Sequence, residues 1–200
     1  MIMKKLSTYL LLIFLSFSVL AYADNISEYE IGGISIGDSL LNHLSKNEIL
    51  TEIEANKSVY NHLNTDFGEV YLFKQIGKYE QLSFFVKQND RNYTIYSITG
   101  TIDYDEKFEA CLAKQKEIEK EFSKIYENTK KIKLTHKFDW DSSGESISQN
   151  IVFDFKSGDN IQVNCTKYKK SFKIENGWAD GLMISINKKE LTDWFDNPIN

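Results

Sequence analysis

Three groups of residues in this chain have the types and spacing that chemistry needs. Ser39 lies in Gly37-Asp38-Ser39-Leu40, between an apolar β-type run and a leucine-rich helical one. A serine on a strand-to-helix turn can act as an acyl-transfer nucleophile if a base takes its proton. Asp139, Asp141 and Ser143 alternate oxygen donors ahead of Gly144, a spacing suited to calcium. Cys111 and Cys165 are the two cysteines. Both fall at inward-facing positions, Cys111 on an apolar helical stripe and Cys165 in step with Ile161 and Val163 at period two. Two inward cysteines in a chain whose N-terminus points to an oxidising compartment are expected to form a disulfide, the alternative being two buried free thiols.

Gly37 to Leu40 spells the nucleophile motif of the GDSL esterases, and Gly158-Asp159-Asn160 resembles that family's G-x-N oxyanion element. The resemblance implies a serine hydrolase using Ser39. The chain departs from the family in lacking its D-x-x-H: the last histidine is His136, with Lys133 three residues before it. The segment from Asp139 to Gly144 resembles the opening half of an EF-hand calcium loop, and implies a metal site on Asp139, Asp141 and Ser143. Here too the remainder departs. Ile147 and Asn150 stand where a ligand and the bidentate Glu belong. The alternative is a tight hairpin turn with Gly144 at positive φ.

Other candidates are scattered. His43, His62 and His136 show no H-x-x-x-H or H-E-x-x-H spacing, so a zinc site needs distant segments to converge. Lys167, Lys169, Lys170 and Lys173 make a basic stretch, read as a solvated loop. Trp140, Trp178 and Trp194 can be core or an exposed platform for sugar or protein. No cofactor-binding motif is recognised.

The N-terminus reads as an export signal. Lys4 and Lys5 precede the apolar run 10–20, and Ala21-Tyr22-Ala23 is a small-x-small cleavage site. The expected division is a signal peptide over 1–23 and a single α+β domain over 24–200, periplasmic or secreted, with no transmembrane segment in the mature chain. Cleavage takes the net charge from −5 to −7, and Arg91 is the one arginine. That composition argues against a nucleic-acid partner and against a dedicated anion site.

The elements that must position these residues start from 106–133. There Phe108, Cys111, Ile118, Phe122, Ile125 and Ile132 recur at steps of three and four, with Gln115 and Thr129 as polar members. The spacing predicts one long central helix. Strands are expected at 29–36, 69–75, 81–87 and 93–104 before it, and at 134–140, 147–155, 161–167 and 182–187 after it. Asp38 is read as the cap of a short helix, Ser45-x-x-Glu48 as a capping box, and 188–196 as a terminal helix. The expected class is α+β: antiparallel sheet or sheets packed on the long central helix, with short N- and C-terminal helices.

The opening Ile31 to Leu41, then Ser45 to Ile49, Ile98 to Tyr104, the Cys on the long helix and D-x-S-G-x-S at 141–146 together resemble small exported proteins of marine bacteria. That resemblance implies export and a shared fold, and carries over no site residue. A looser likeness, Gly37 leading into a helix and then strands, is to small envelope domains of the outer-membrane assembly lipoprotein type, without their lipid-anchor Cys. The leading expectation is a non-enzymatic exported module that binds an envelope or extracellular partner or a small ligand. The alternative is the Ser39 hydrolase.

Overall fold

The computed structural model describes residues 26–176 and 178–199. The expected signal peptide and its cleavage site lie outside them. A short hairpin comes first, β1 (Glu30–Ile31) and β2 (Ile34–Ser35). Gly32 and Gly33 make its two-residue turn at φ +65° and +79°, a conformation that side chains with a Cβ resist. Helix α1 (Lys46–Asn56) follows, opened by the complete capping box of Ser45 and Glu48.

A meander of three strands comes next: β3 (Phe67–Leu72), β4 (Gln81–Lys87) and β5 (Ile95–Asp103). After helix α2 (Phe108–Ile125) a second meander is built from β6 (Lys130–Lys137), β7 (Ile147–Asp154) and β8 (Asn160–Lys167). Helix α3 (Lys170–Asn176), strand β9 (Gly181–Asn187) and helix α4 (Lys189–Phe195) complete the order. The seven long strands form one sheet, β3-β4-β5-β9-β8-β7-β6, with every pairing antiparallel. Each half is therefore a helix followed by a meander running from an outer edge inward, and β9 joins the two.

This sheet overturns the expected architecture of sheets arranged around one long central helix. The longest helix among the described residues, α2, has 18 residues and stops at Ile125, which is half exposed. Residues 130–133, read as its last turn, belong to an edge strand. The physical reason is a double periodicity. Ile132 sits seven residues after Ile125, as on a helix, but also two before Leu134, as on a strand. Asn128 and Thr129 between them favour a turn, and the Thr129 hydroxyl donates to the Tyr126 carbonyl, closing it.

One face of the sheet carries the core. Leu82, Phe84, Ile98, Ile161, Val163, Leu182, Ile184 and Ile186 are all buried there, beneath α2, α1 and the hairpin. Gln115, the polar member of the α2 stripe, is buried and donates to the carbonyls of Gln149 and Val163 at 2.7 and 2.8 Å. It fastens the helix to two strands at once. The two sheet edges are treated differently. Along β3, the Glu52 carboxylate accepts from the Tyr71 N–H, and Asn56 donates to the Glu69 carbonyl. Along β6 the edge is open but carries Lys130, Lys131, Lys133 and Lys137, whose charge resists pairing with another strand. Among the described residues no helix is long and apolar enough to cross a membrane.

Candidate binding face

The sequence-derived candidates are placed as follows. Ser39 has extended backbone and precedes a single 3-10 turn, Leu40–Asn42, where a helix was expected. Its hydroxyl donates to the Asn92 carbonyl at 2.6 Å. Asp38 is not a helix cap either: its carboxylate accepts from the Ser35 N–H at 2.9 Å. Asp159, in the element likened to the oxyanion motif, accepts from the Lys189 N–H at 2.9 Å and so holds the start of α4. His43, His62 and His136 are exposed on different elements.

The 139–144 segment folds as a self-satisfied turn. Asp141 is buried, and its carboxylate accepts from the Ser143 hydroxyl at 2.6 Å, the Ser143 N–H at 3.1 Å and the Ser146 N–H at 2.7 Å. The bond from Ser143, with those from Ser146, holds its pKa well below the usual carboxylate range despite burial. Gly144 has φ +68°. Both oxygens of the central proposed ligand are thus occupied by the loop itself. Among the described residues no three His, Cys, Asp or Glu side chains cluster as a metal set.

Cys111 and Cys165 are joined, with Cα atoms 6.0 Å apart, and tie α2 to β8. The basic stretch read as a loop is helix α3. Its Lys173 is largely buried and bridges Asp105 at 2.7 Å and Asp180 at 3.1 Å. Lys173 therefore locks this segment against the loop that leads into α2.

The face of the sheet opposite the core was not singled out from the sequence. Side-chain alternation and strand register define it. From β5 it presents Ser97, Thr99, Thr101 and, at its end, Asp103, and from β9 Met183, Ser185 and Asn187. From β8 it presents Asn160, Gln162, Asn164 and Thr166, and from β7 Ser148, Asn150, Val152 and, opposite Asn160, Asp154. Only Asp103 and Asp154, at strand ends, are charged, and the middle of the face carries no charge in a chain that is 26% charged overall. Their side chains bond to one another across the strands. Thr99 and Ser185 hydroxyls lie 2.9 Å apart, Asn187 donates to Asn160 at 3.0 Å, and Asn150 donates to Gln162 at 2.9 Å. Ser148 donates to Asn164 at 2.7 Å.

Two covers close the ends of this face and leave its middle open. At one end Leu191 and Trp194 of α4 pack on Phe67 and Phe85, beside buried Ser97 and Asn160. At the other, Tyr168 continues the face from Thr166, and Phe138 continues it from His136. Phe138 stacks on Trp140 at 4.9 Å, and Tyr168 packs on Trp178 at 4.9 Å. Trp140 and Trp178 remain 45% and 41% exposed. Between the covers, Thr99, Thr101, Ser185, Gln162, Asn164 and Asn150 are only partly buried. The result is a trough with an amide and hydroxyl floor and one aromatic wall.

At the β3 edge of the same face, Glu69 is 6% exposed and accepts from the Tyr60 hydroxyl at 2.5 Å. Burial raises its pKa, bonds from Tyr60, Tyr71 and Ser83 oppose the rise, and the net shift is upward. A cleft of about 590 Å³ opens beside it, lined in part by Asn56, Tyr60, Asn64 and Phe67. One signal for the uncharged face was present in the sequence: Gln162, Asn164 and Thr166 alternate with Ile161, Val163 and Cys165. Compared with known protein families, curated proteins and solved structures, the chain returns no match.

Proposed function

We propose that this protein is an exported binding module, periplasmic or secreted, and that the uncharged face of the sheet is its binding surface. The observation that carries this reading is the run of uncharged side chains across the middle of β5, β9, β8 and β7, bordered by half-exposed Trp140 and Trp178. A face that merely meets water normally carries Lys and Glu at such positions. Loss of charge with aromatic enrichment is instead the composition of an interface core. The Cys111–Cys165 disulfide supports an oxidising address, as does the signal-like segment of the first 23 residues.

The test is site-specific photo-crosslinking in the cells that make the protein. A photoreactive residue at Thr99 or Ser185 should give a discrete adduct, and one at Lys116, on the solvent side of α2, should not. Equal yields at both places, or none at Thr99 and Ser185, would remove this face as the binding surface.

A further inference from the structure

Every floor side chain in the middle of the trough is a hydroxyl or a carboxamide except Met183 and Val152. Such groups both donate and accept hydrogen bonds, so the floor reads a partner whose own groups do the same. Sugar hydroxyls have that property. A carboxylate or a phosphate accepts only, and would call for Lys or Arg on the floor. The half-exposed rings of Trp140 and Trp178, 5.4 Å apart and inclined at 64°, add an apolar surface for the C–H face of a sugar ring. From β4 to β7 the floor crosses four strand spacings, about 19 Å. That length suits an extended chain of several rings better than a single small molecule.

We propose that the trough binds a neutral glycan, its sugar rings on Trp140 and Trp178 and its hydroxyls on the floor around Ser185, Asn164 and Asn150. This rests on the binding-face reading above and names its ligand class. The absence of Lys and Arg from the floor, and of any charge from its middle, selects neutral over acidic glycans, because a buried uncompensated charge is costly.

The experiment titrates the purified disulfide-bonded domain with soluble neutral oligosaccharides: β-1,4-, β-1,3- and α-1,4-glucans, mannan and chito-oligosaccharides. Tryptophan fluorescence and calorimetry report binding. At least one series should bind saturably. Trp140→Ala should weaken it about tenfold or more, a loss measurable as about 1.4 kcal/mol. Ser185→Lys should abolish it, and Lys116→Ala should leave it unchanged. Trp140 is exposed enough that its alanine variant should fold, and thermal melting checks both trough variants. Binding by none of the neutral series overturns the glycan assignment. Binding that Trp140→Ala and Ser185→Lys leave intact overturns the trough as the site. If the glycans fail but Thr99 and Ser185 still crosslink to a polypeptide, the binding face stands without the glycan. If those adducts are missing as well, both readings fall.

Discussion

The Tyr60 hydroxyl donates to the Glu69 carboxylate at 2.5 Å, joining the turn after α1 to edge strand β3. Burial makes the charged form of Glu69 unfavourable, and its pKa in the folded state lies above the ordinary value. Stability from this group is then fully present below the unfolded pKa of about 4.3 and is lost as pH rises through the folded value. Glu69→Gln mimics the protonated acid. The variant should melt higher than wild type at pH 8, by roughly 2–4 °C, the effect of about 1 kcal/mol in a domain this size. The gap should shrink to nothing near pH 4. A melting curve unchanged or lower at pH 8 would show that the three hydroxyl bonds outweigh burial.

Reduction of Cys111–Cys165 should destabilise the fold strongly. The bridge spans 54 residues in sequence, and loop-closure arithmetic at that length gives roughly 4 kcal/mol. Thermal melting with and without reductant should differ by on the order of 10 °C. A difference under about 2 °C would mean that contacts of α2 with β8, Gln115 among them, suffice without the bond.

Ser39→Ala removes a hydroxyl that holds the Asn92 carbonyl. The expected loss is about 1 kcal/mol or less, with no loss of any activity. Because the proton of Ser39 is engaged by a backbone carbonyl, a fluorophosphonate probe should not label it. Labelling that disappears in Ser39→Ala would establish the hydrolase instead.

Asp141 tests the calcium reading and its own pH dependence. Calorimetry should show no micromolar calcium binding, since Ser143 and Ser146 already occupy the carboxylate. Its depressed pKa contributes stability that is present above the unfolded value and lost as pH falls through the folded one. Asp141→Asn should therefore melt lower than wild type at pH 7, and the gap should begin to close only below about pH 4. Micromolar calcium binding that vanishes in Asp141→Asn would restore the metal site.

Local elements were more legible than their arrangement. The strand expected at 81–87 is β4 residue for residue, and Ser45 and Glu48 form the expected capping box. Cys111 and Cys165 could be paired from two periodicities because each is a strong local signal. The organising element could not be read, because Ile132 fits a helix and a strand equally until Thr129 and its turn are weighed. Lys173 looked like one of several solvated lysines; its partner Asp105 is 68 residues away in sequence, and Asp180 is brought to it by the turn between α3 and β9. The candidate face was hidden for a related reason. Its row of Ser83, Thr99, Ser185 and Gln162 draws on four strands, and only register aligns them.

The place of β9 has a kinetic consequence. It is the last sheet strand in the chain and the central one in the sheet, hydrogen-bonded to β5 on one side and β8 on the other. During synthesis each meander can form early, but each must wait with one inner edge unpaired until 181–187 emerges. Closure then requires pairing across large sequence separation, which slows folding. The step that locks the structure is thus deferred until nearly the whole sheet has been made.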